Sequence, residues 1–233
     1  MKNLGILYAV FLGSFLAIGG FFLSYLFRKR KREENTYYHR SLRWFFFMFA
    51  MIWISTPVTG FYKWMEKPEV GGMLYTFIGG PFTYLHLVPA FYYFGWSFFP
   101  DKKLIRYLFI GIFTLISISA LLAFWVYGFE RPEIGFWGAN QIPNKLASNI
   151  LTFGLSLPGF LCILAELIKR YRKWKKTKDL QEKRLFGYAV GFLIYAVGGI
   201  FDALGSQDWI PLFSRGVLLI SLLIFYISYS TEE

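Results

Sequence analysis

The sequence predicts an all-α polytopic membrane protein, one domain over residues 1–233: seven transmembrane helices with the N-terminus outside and the C-terminus cytoplasmic. Three observations predict it. Hydrophobic residues make up 56% of the 233 positions, far above a soluble domain of this size. Seven stretches reach the roughly 20 apolar residues that a helix needs to cross the hydrocarbon core, where only a helix satisfies its own backbone. Lys and Arg are sorted by connector: Arg28, Lys29, Arg30, Lys31, Arg32, Arg40 and Arg43 fill the first, Lys102, Lys103 and Arg106 the third, and the run from Lys169 to Arg184 the fifth. The alternate connectors and the N-terminus hold only Lys2, Lys63, Lys67, Arg131 and Lys145. By the positive-inside rule the basic connectors are cytoplasmic.

The first span, Leu4 to Phe27, is longer than the apolar core of a secretory signal, and its positive cluster follows it, so it reads as a retained crossing. The second covers Trp44 to Tyr62 and contains Pro57. The third, Met73 to Phe99, carries Gly79, Gly80 and Pro81, which either kink a long helix or mark its start with Pro81 in the first turn. The fourth runs from Leu104 to Tyr127. The connector that follows, Gly128 to Lys145, with Glu130, Arg131, Glu133, Trp137, Asn140 and Gln141, is long enough to cap the bundle. The fifth span is Leu146 to Ile168, with Pro158 inside it. The sixth and seventh, Leu185 to Leu204 and Ile210 to Tyr229, form a hairpin around Ser206, Gln207 and Asp208. Aromatic residues are 22% of the chain, and Tyr37, Tyr38, Trp44, Tyr62, Trp64, Trp125, Tyr127, Trp137 and Trp209 fall where helices meet headgroups.

The formal net charge of +11 sits in short connectors, where anionic lipid headgroups account for it, and no nucleic-acid recognition motif accompanies it. Cys162 is the only cysteine, so no intrachain disulfide and no cysteine-based metal site can form. No span has Lys in its apolar centre to form a retinal Schiff base. HExxH, GxSxG and phosphate-binding glycine motifs are absent. The expectation is a non-catalytic protein without cofactor or metal.

His86 is the one histidine within a span. It is either part of a ligand or proton site, or a neutral imidazole bonded to a hydroxyl or carbonyl. His39 lies in the basic connector, so a pair of intramembrane histidines for haem is lacking. Asp202 and Arg215 flank the last turn by about one helical turn each and can meet at one depth. They form either a clamp on the hairpin or, with His86, Tyr84 and Asn149, an outward-facing polar pocket. Gly187 and Gly191 make a GxxxG, followed by Gly198 and Gly199, which invites close helix packing. Glu166 reads as a snorkelling partner of Lys169 and Arg170.

Pro89 through Phe99 followed by Asp101, Lys102 and Lys103, and the run Lys183-Arg184-Leu185-Phe186-Gly187-Tyr188 opening the sixth span, carry a resemblance to a known family. With the seven spans, outer N-terminus and basic fifth connector, the chain resembles the seven-helix membrane input domain of bacterial sensor histidine kinases. The resemblance implies a sensor. After the seventh span the family has an output domain, whereas here only Ser230, Thr231, Glu232 and Glu233 follow, so the signal is expected to pass to a separate protein or through a homo-oligomer. A structural or anchoring subunit of a membrane complex, electron-transferring ones included, is the second expectation. A small-molecule transporter or channel is the third, disfavoured by the scarcity of intramembrane polar residues, and the lack of an internal repeat with matched broken helices weakens the case for an inverted-repeat transporter.

Overall fold

The computed structural model describes residues 2–29, 36–65, 67, 70, 71, 73, 75–134, 139–203 and 209–231. The helices are α1 (Lys2–Lys29), α2 (Thr36–Trp64), α3 (Gly80–Leu85), α4 (Leu87–Phe98), α5 (Lys103–Tyr127), α6 (Lys145–Asn149), α7 (Leu157–Thr177), α8 (Leu180–Ala203) and α9 (Ile210–Ser230). Two π-helical turns, Tyr75–Gly79 and Ile150–Ser156, lead into α3 and join α6 to α7. Among the described residues six helices are long and apolar enough to cross a membrane, counting Lys145–Thr177 as one continuous rod.

The segment expected at 73–99 is not one uninterrupted helix. Pro89 has no N–H for the Leu85 carbonyl four residues back and its ring crowds that carbonyl, so the helix breaks at His86, between α3 and α4. Both π-helical turns end two residues before a proline, Pro81 in one case and Pro158 in the other. A wider turn there moves the carbonyl out of the path of the pyrrolidine ring.

The rods close into a ring. α1 packs on α2, α2 on α4, α4 on α5, α5 on the second π-helical turn, α7 on α8, α8 on α9, and α9 back on α1. The interior is aromatic: Phe27, Phe45, Phe46, Phe49, Phe94 and Phe192 are all buried. The exterior is apolar too. On α1, Leu7, Phe11, Phe15, Ile18, Phe22 and Tyr25 form one exposed stripe at helical spacing. Exposed apolar area on this scale is what lipid covers, and these helices are those of a multi-pass membrane protein. Trp64, Trp125, Tyr127 and Trp209 are exposed at helix ends, as amphipathic anchors should be, and Trp44 is exposed about two turns inside α2. Tyr37, also exposed, stacks on Trp96 with ring centroids 3.8 Å apart.

The connector after α5 is not plain loop. Gly128, at φ +69°, turns the chain out of α5 into an antiparallel pair of short strands, β1 (Phe129–Ile134) and β2 (Ala139–Pro143). Trp137 lies outside the described residues. Asn144 ends the hairpin and caps α6: its side chain accepts from the Ala147 N–H at 2.9 Å and donates to the carbonyls of Gly128 (2.9 Å) and Ala123 (3.2 Å). One buried amide therefore fixes the start of this rod against the end of the previous one.

Candidate functional site

The ring encloses a cavity of about 470 Å³, walled mainly by aromatic and aliphatic side chains. The two interrupted rods supply much of the polar part of its wall, with Thr56 and Thr59 of α2 and Tyr195 of α8. The first contributes Tyr75, Thr83, Tyr84 and His86, and the second Ser148, Thr152 and Ser156. Asp202 and Arg215 close one end, beside Trp53.

His86 is buried and held on both ring nitrogens. Nδ1 lies 2.7 Å from the Thr83 carbonyl oxygen, which can only accept, so Nδ1 carries a proton. Nε2 lies 2.5 Å from the Tyr195 hydroxyl on α8 and, in the neutral ring, accepts from it. The broken rod at residues 75–98 is thereby pinned to α8 across the cavity wall. The imidazole is oriented by two contacts of opposite character, which restricts its tautomer.

Asp202 and Arg215 do meet. Arg215 Nε is 3.7 Å from Asp202 Oδ1, the same oxygen accepts from Ser214 Oγ at 3.1 Å, and the guanidinium carbon sits 5.5 Å over the Trp53 ring. Arg215 is buried, whereas Asp202 keeps about a quarter of its side-chain surface exposed, 24%. The expected turn residues Ser206, Gln207 and Asp208 lie outside the described residues. Tyr84 is buried in the wall, against Phe124. Asn149 is not at the cavity: it is exposed, and the neighbouring Ser148 lines the wall instead. A one-residue step turns a helical side chain by about 100°, which is enough to exchange inside for outside.

The four glycines of α8 divide between two faces. A Cβ on Gly187, Gly191 or Gly198 would fall on Ser228, Phe225 or Leu218 of α9, so these three let the last two helices approach. Gly199 faces the cavity, with nothing within 4 Å of a Cβ there. Its own stripe is Phe192, Tyr195, Gly199 and Asp202, all in the wall. That spacing of three, four and three residues was the available signal for Tyr195, since Asp202 lies two turns beyond it on one face.

A second cluster sits at the opposite end, near the basic connectors. Glu166 does not snorkel: it is fully buried, paired with Arg170 at 2.7 Å, and accepts from Ser97 Oγ at 2.5 Å and Tyr93 at 3.4 Å. Arg170 also reaches Glu182 at 3.0 Å, Ser97 Oγ at 3.0 Å and the Tyr38 hydroxyl at 3.4 Å. Lys169 bonds to the Ser97 carbonyl and, at 3.1 Å, to its hydroxyl. Four helices, α2, α4, α7 and α8, are tied there by one charge-assisted network. Sequence reading found Glu166, Lys169 and Arg170 but not Ser97, Tyr93 or Glu182, because their partners come from other helices. Compared with known protein families, curated proteins and solved structures, the chain matches none.

Proposed function

We propose that this chain is a non-catalytic, receptor-like protein of the cytoplasmic membrane that takes a small molecule into its cavity and acts through a partner protein. The interrupted rod at residues 75–98 serves as the third of seven crossings, the N-terminus faces outside, and the basic connectors are cytoplasmic. The observation that carries the reading is the cavity of about 470 Å³, an apolar chamber in which a few oriented polar groups converge. A largely apolar chamber with a few fixed polar groups supports binding as its activity. Residues 169–184, adjoining the Glu166–Arg170 network, are the route to the partner: ligand-dependent movement of α4 against α7 and α8 alters the geometry of that connector. The same basic connectors hold anionic headgroups at the inner surface.

Native mass spectrometry of the chain purified in mild detergent tests this. The expected result is a bound small molecule that is lost in Ala196→Phe, which fills the chamber. A chain that carries no molecule and is stable only with a stoichiometric protein partner would instead be an anchoring subunit. Ligand flux in liposomes would make it a transporter.

A further inference from the structure

The chamber is not closed all round. Of the residues that line it, two are exposed, Thr152 and Ile200. They lie on the rod Lys145–Thr177 and on α8, the fifth and sixth rods of the proposed seven, and Ser156, Gly159, Ala196 and Gly199 line the wall beside them. These rods are fastened at their far ends, where Arg170 holds Glu182, and Tyr171 and Trp174 pack on Phe186. At the level of Thr152 the chain is the second π-helical turn, which packs chiefly on α5 and on α6 and α7. The bare backbone at Gly199 leaves the space between them unfilled. Around this gap the surface is apolar, with Phe153, Leu157, Leu161 and Ile200 exposed. An opening in such a surface faces hydrocarbon rather than water.

We propose that the occupant is a single-chain, uncharged lipid, such as a long-chain alcohol or a monoacylglycerol, that enters sideways from the bilayer between the fifth and sixth rods. This rests on the ligand-binding reading above and adds the source, route and class of the ligand. The chamber lies towards the lower end of the roughly 300–1,000 Å³ range of ligand cavities, room for one hydrocarbon chain along Phe45, Phe49, Phe91 and Phe94. The head is uncharged because the charges in the wall already face each other, Arg215 against Asp202, and a further charge in a low-dielectric chamber would go uncompensated. A hydroxyl, both donor and acceptor, suits a wall carrying Thr83, Tyr195, Ser156 and Asp202.

The test uses the full chain in phosphatidylcholine liposomes with a diazirine-bearing hexadecanol and, separately, a diazirine-bearing butanol as a water-soluble analogue. Labelled residues are read by peptide mass spectrometry. Gly199→Phe plugs the gap where a Cβ meets nothing, and Gly111→Phe is the control at another open glycine, outside the chamber. The long-chain probe is expected to label Phe45, Thr83 or Tyr195, with labelling down about tenfold in Gly199→Phe and unchanged in Gly111→Phe. Equal labelling in both variants would overturn the lateral route. Labelling of the wall by the butanol probe alone would overturn the lipid class while leaving a ligand chamber, and labelling by neither would remove both this proposal and the receptor reading.

Discussion

Glu166 shows how burial changes the meaning of a charge. On an exposed surface a Glu and an Arg four residues apart contribute a few tenths of a kcal/mol. Here the carboxylate is fully buried and Arg170 almost so, hence removing one partner strands the other in a low-dielectric interior. Arg170→Met should lower stability in detergent by about 3–5 kcal/mol, read by thermal or denaturant unfolding. Glu166→Gln should cost less, because Arg170 keeps Glu182 at 3.0 Å. Arg170→Met combined with Glu166→Leu should recover much of the loss, since replacing a buried pair by apolar groups is often close to neutral. An exposed, screened pair would give three small and additive changes.

At the scale of the element, glycines on one helix have opposite tasks. Gly191→Leu should destabilise by about 1–3 kcal/mol through overpacking against Phe225, while Gly199→Ala should leave the unfolding midpoint where it is. Equal effects would show that the two faces of α8 are not distinguished as described. The small-residue pattern of α8 was legible in the sequence; which glycine faced which neighbour was not, because that depends on the rotation of the helix in the ring. Pro57, Pro89 and Pro158 were expected to interrupt their spans and Pro81 to kink or start one; α2 runs on as one helix through Pro57, whereas the other three lie at interruptions. Whether an interruption widens the helix or breaks it is set by what packs alongside, and the two π-helical turns, with the hydroxyls they carry to the chamber, could not be foreseen from the prolines.

At the scale of the molecule, apolar length and charge sorting suffice for a membrane bundle because they are properties of each segment separately. The chamber is a property of the closed ring. Asp202 and Arg215 could be paired in advance since a short turn joins their helices, and His86 was conspicuous as a lone ionisable group; Asn149 was misplaced by one residue, and Tyr195 was overlooked among sixteen tyrosines. Among the described residues six rods are long and apolar enough to cross lipid, and a seventh crossing would depend on the broken one at residues 75–98. That segment decides the arrangement of the whole, for an odd number of crossings puts the ends of the chain on opposite sides and an even number puts them together.

The most direct measurement is therefore the accessibility of an epitope at each end of the chain in intact and permeabilised cells. The account predicts that the N-terminal epitope is labelled in intact cells and the C-terminal one only after permeabilisation. Labelling of both ends from one side would contradict it.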